Sequence, residues 1–159
     1  MKRLLIAAAC LAAATAGTQA GETFDAGGVG KGTNKSSVVM VREGHMLMNS
    51  ISTYTGYEAA DAKSPMNGMT GTCRGAIEFK IPSATGQGHC EFTDKSGDKQ
   101  ISTWVATGVA KGGALTGTWT VVGGTGRYQN ASGGGTFHSL TDRKAGTFVN
   151  TVKGAILIK

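Results

Sequence analysis

From residue 21 onward no stretch of this chain keeps a helical period. Short runs of alternating apolar and polar residues follow one another instead, cut by Gly, Ser, Thr, Asn and Asp. Alternation with a period of two is the mark of strands that bury one face and wet the other. The 26 glycines of the 159 residues supply the turns and bulges that many short strands require. The pattern therefore predicts an all-β, antiparallel protein.

The opening twenty residues are of another kind. Lys2 and Arg3 precede an uncharged apolar stretch over 4–16, and Thr18, Gln19 and Ala20 form a small-residue cleavage pattern before Gly21. This is the layout of a signal peptide, with a core shorter than the roughly 20 residues of a membrane span. Cys10 follows three alanines, Ala7 to Ala9, where a lipoprotein signal wants a large aliphatic residue. The expectation is an exported protein, periplasmic or extracellular, with no stable membrane anchor after cleavage. Residues 21–36 read as a flexible lead-in because of Gly27, Gly28, Gly30 and Gly32, and 37–159 as a single barrel domain.

Charge excludes one class of partner. Sixteen Lys and Arg stand against ten Asp and Glu, and without Lys2 and Arg3 the remainder carries a net +4. Those cations are scattered singly and lack the clustered stripe with stacking aromatics that nucleic acid demands, so no nucleic-acid partner is expected.

Eight strands are predicted, over 37–43, 45–57, 70–80, 88–94, 99–107, 114–122, 132–140 and 145–159. Alternation puts Cys73, Ile77 and Phe79 on one face of the third, and Cys90 with Phe92 on one face of the fourth. Leu115, Trp119 and Val121 share a face of the sixth, and Phe148, Val152, Ile156 and Ile158 a face of the eighth. These faces are the predicted interior. A barrel removes the exposed edges of such a sheet, and a β-sandwich remains the alternative.

Cys73 and Cys90 are the cysteines left after the leader. In an oxidising compartment they are expected to form a disulfide, through a hairpin looping over 82–87. A metal site is not expected, since His45, His89 and His138 are scattered without partners at ligand spacing. No catalytic residue is singled out: there is no Gly-x-Ser-x-Gly elbow, and the histidines read as exposed. Gly123, Gly124 and Gly126 have neither Walker nor dinucleotide spacing, so they read as a turn closed by Arg127 and Tyr128, and no cofactor is expected. Asp94 and Asp98 resemble a calcium loop, but Lys95 and Lys99 oppose a cation, which leaves a solvated hairpin turn. Asn34 and Asn130 head glycosylation sequons. Met46, Met48 and Tyr54 share the second strand, and flexible thioethers suit a pocket for an apolar ligand.

Residues 117–128 (GTWTVVGGTGRY) and 131–137 (ASGGGTF) resemble the glycine-rich hairpin of the allene oxide cyclase and dirigent barrel superfamily. Upstream, 71–75 (GTCRG), 88–94 (GHCEFTD) and 97–99 (GDK) resemble an exported bacterial branch of it. The likeness spans about 67–137, half the chain. It implies an eight-stranded antiparallel barrel with a central cavity. Plant members include a cyclase of fatty-acid epoxides and proteins that steer phenoxy-radical coupling, and no catalytic residue of theirs matches a position here. The expected function is binding of a small apolar ligand or a partner, without a catalytic site. The alternatives are an enzyme of cyclase or isomerase type acting by cavity shape, and a structural surface protein.

Overall fold

The computed structural model describes residues 21–159, and the predicted leader lies outside the described residues. Among the described residues nine strands form one antiparallel sheet: β1 (Glu22–Asp25), β2 (Gly28–Arg42), β3 (His45–Ala59), β4 (Thr70–Lys80), β5 (Ser83–Thr93), β6 (Lys99–Val109), β7 (Leu115–Gly124), β8 (Ser132–Asp142) and β9 (Thr147–Ile158). Strands β2 to β9 pair in chain order, and β9 also pairs with both β8 and β2. That last contact closes an eight-stranded barrel, so the sandwich alternative falls. Strand β1 is extra: it continues the line of β2 along β9, with Phe24 opposite Ile156 and Gly28 opposite Val152.

The segment expected to be a loose lead-in is part of this wall. Residues 22–25 and 28–36 are strand, and Gly28, Gly30 and Gly32 lie where a side chain would strike β3 or its tyrosines. Here glycine marks close strand packing rather than slack. The fourth predicted strand also begins earlier. β5 starts at Ser83, directly after Ile81 and Pro82, so the expected loop over 82–87 is ladder.

Interior faces fall where alternation puts them: Ile77, Cys90, Trp119, Val121, Phe148, Val152 and Ile156 are buried. The two ends of the barrel differ. At one end the segment between β3 and β4, the β5–β6 turn and a 3-10 turn (Gly126–Tyr128) fold inward, and Met66, Met69, Tyr128 and Ile156 pack into a core that closes it. At the other end the hairpins at Gly44, Pro82, Gly112 and Arg143 leave the interior open.

Candidate functional site

The interior holds a cavity of about 170 Å³ that opens at the hairpin end and stops at the packed one. Aromatic rings line much of it. Tyr54 meets Phe92 and Phe148 edge-on at 5.0 and 4.7 Å, and Trp104 meets Phe137 edge-on at 6.2 Å. The Trp104 indole has room because Gly75, Gly88 and Trp104 stand side by side on β4, β5 and β6, where a Cβ on either glycine would collide with the ring. Edge-to-face pairs of this kind hold one another in fixed orientations.

Polar side chains are set among these rings. The Asn34 amide donates to Ser50 and Ser52 Oγ, each at 2.8 Å, which links the paired strands β2 and β3 on their inner face. Deeper, Asn150 Nδ2 donates to the Tyr54 hydroxyl at 2.8 Å. Gln100 is 1% exposed, and its Oε1 and the Asn150 Oδ1 are buried with no hydrogen-bond partner among the described residues. Both side chains line the cavity, as does Tyr54. Burial pushes the Tyr54 hydroxyl up to about 12, with the Asn150 hydrogen bond offsetting part of the rise. At neutral pH it therefore keeps its proton, and having accepted from Asn150 it has that proton left to donate.

Among the described residues no histidine or carboxylate lines it, and the cysteines in the wall are oxidised. The charged residues bordering it are Arg74, exposed on the outward parity of β4, and Arg143, in the hairpin at the mouth. Such a lining can recognise and orient a guest and shield it from water.

Of the residues that the sequence points to, Met48 and Tyr54 line the cavity. Met46 shares their face but lies further out, opposite Met40 and Phe79, and is not part of the lining. Cys73 and Cys90 stand directly opposite on β4 and β5, 4.0 Å apart at Cα, and are disulfide-bonded. His89 and His138 are exposed, whereas His45 is not: its Nε2 lies 2.7 Å from Glu78 Oε1. The Asp94–Asp98 turn is also not merely solvated. Asp94 is buried, accepts from the Ser96 N–H and hydroxyl and the Asp98 N–H, and receives the Tyr128 hydroxyl at 3.2 Å. The turn at Gly126 needs its glycine, with φ at +52° and the Asp98 carboxylate filling the space a Cβ would take.

Gln100, Asn150, Trp104 and Phe137 are lining residues that the sequence reading misses. The signal for Asn150 lies in the alternation, since it sits between Phe148 and Val152 on the inward parity of the last strand.

No protein-family model and no curated protein matches the chain. Among solved structures it is similar to a pterocarpan synthase dirigent protein, at a TM-score of 0.58 and 12% identity over 95% of this chain and 99% of that one. The fold is thus a dirigent-like β-barrel.

Proposed function

We propose that this protein is an exported binding barrel whose blind cavity takes a small, mostly apolar guest carrying a hydrogen-bond donor. The observation that carries this reading is the pair of buried, unpartnered oxygens of Gln100 and Asn150 set among the aromatic rings of the cavity lining. A buried acceptor left unpaired costs about 1–3 kcal/mol, which a guest's O–H or N–H placed there recovers. The volume limits the guest. A cavity near 150 Å³ accommodates benzene, so about 170 Å³ suits a one-ring molecule. Arg143 at the mouth accepts a guest with a trailing anionic group.

Export is supported by the leader pattern of the first twenty residues and by the disulfide, which persists in oxidising compartments. The glycine-rich motifs, taken with the dirigent-like fold, support placement in the exported bacterial branch of the allene oxide cyclase and dirigent superfamily. A second reading is an enzyme that acts through cavity shape. It is favoured by the structural neighbour, a dirigent protein that is itself named a synthase. Turnover of a bound guest distinguishes it from a binder.

The test fills the cavity from its mouth. Met48→Trp is expected to reduce binding of an environment-sensitive apolar dye several-fold while leaving the far-ultraviolet spectrum unchanged. A native protein that binds no such dye, or a variant that binds it equally, defeats the reading and brings the structural-surface alternative forward.

A further inference from the structure

The open end of the barrel is its basic end. Each of the four hairpins there carries a cation in or beside its turn: Arg42, Lys80, Lys111, and Arg143 with Lys144. All five are exposed, and Glu43 and Asp142 are the carboxylates beside them, which leaves an excess of three positive charges. Connections at the closed end, counted in the same way with one flanking residue on each side, hold four cations and four carboxylates and so balance. Lys80 is paired with Glu78 at 2.9 Å, but Arg42, Lys111, Arg143 and Lys144 make no ion pair among the described residues. Two of the tips are also apolar. Val41, next to Arg42, is 49% exposed, and Ile81, next to Lys80, is 66% exposed. The Ile81 N–H donates to the Gly44 carbonyl at 2.9 Å, which fixes these two tips side by side.

We propose that this end docks reversibly on an anionic lipid surface, with the cavity mouth turned toward the bilayer. Charge selects the partner. The cations stand on four separate hairpins around the mouth, a ring and not a cluster, so they match a surface of negative charge better than a single anion. The aliphatic tips between them reach the boundary of headgroups and acyl chains, while the wet headgroup layer still satisfies the backbone groups of the turns. Two tips bury little apolar surface, so the contact is electrostatic first and does not amount to an anchor. If the cavity binds as proposed above, an apolar guest passes between lipid and mouth without crossing water. That consequence rests on the guest reading, and the docking itself does not.

Co-sedimentation with vesicles tests the face. The native protein is expected to bind vesicles containing phosphatidylglycerol, to release them as salt rises, and to leave pure phosphatidylcholine alone. Lys111→Gln and Lys144→Gln should each weaken binding about fivefold, and the two together about 25-fold. Ile81→Ser should weaken it several-fold at a salt concentration where the native protein still binds. Neither lysine lines the cavity, so both variants should bind the apolar dye as the native protein does, and vesicle binding without dye binding would sink the guest reading alone. The control is the closed end, where Lys63→Gln and Lys95→Gln remove the same charge and should change nothing. An equal loss from these two overturns the proposal, because net charge and not the mouth would then be the attractant. No preference for anionic vesicles overturns it as well. Retention on polyglutamate without binding to vesicles overturns it in favour of an acidic protein partner.

Discussion

Asp94 shows how much a single side chain can organise. Burial alone would raise its carboxyl, but the hydrogen bonds from Ser96 and Asp98, with the charge of Arg127 at 3.4 Å, hold it below the ordinary carboxylate range. Through Tyr128 it fastens the β5–β6 turn to the turn that closes the barrel. Since the folded carboxyl titrates lower than the unfolded one, its contribution is complete above about pH 4. It fades as pH falls through the depressed folded value. Asp94→Asn is expected to lower stability by roughly 2 kcal/mol at neutral pH and to flatten the acid limb of the stability profile, read from denaturant melts at several pH values. The sequence offers the turn but not this role. A carboxylate beside Lys95 and Lys99 looks solvated, and the partner that buries it, Tyr128, lies 34 residues away. Trp119 is legible for the opposite reason: its neighbours Thr118 and Thr120 are polar, so alternation alone points it inward, where it is 9% exposed.

Among the elements, strands with clean alternation are readable and those built on glycine are not. β4, β7 and β9 carry large apolar residues that declare the inward parity, such as Ile77, Trp119 and Phe148, whereas Gly28, Gly30 and Gly32 of β2 carry no side chain to declare a face. A flexible segment and a tightly packed one look alike when the packing is supplied by Tyr54 and Tyr57 of the neighbouring strand. The β4–β5 hairpin reads as a loop because Ser83 to Gln87 are small or polar. Its consequence is that the cysteines sit directly opposite each other in an unbroken ladder. Replacing Cys73 and Cys90 together by alanine releases a link across 17 residues, worth up to about 3 kcal/mol by loop entropy. That figure counts only the freedom the link takes from the unfolded chain, so the loss of stability should approach it unless the unlinked chain keeps residual structure. The measurement is the denaturant midpoint of the double variant beside that of the native protein.

For the whole molecule, closure is foreseeable and occupancy is not. A sheet of this many strands gains by abolishing its edges, and the interior parities are sufficient to suggest a barrel. Whether side chains fill such a barrel depends on where its large residues sit along the axis. Here Met66, Met69 and Tyr128 come from connecting segments and gather at one end, leaving aromatic rings, serines and asparagines to line the rest without filling it. Segments outside the strands carry no alternation, so nothing in the pattern announces a stopper.

That stopper governs traffic. A tube stopped at one end has a single doorway, so whatever sits deepest entered first and departs last. A rival molecule arriving from solution stands behind the occupant and has no route by which to push it out. For a guest of the proposed kind, escape should follow first-order kinetics whose rate is indifferent to how much competitor is added. Stopped-flow chase of a fluorescent occupant with rising competitor checks this, and acceleration by the competitor would reveal a second way out through the Tyr128 end.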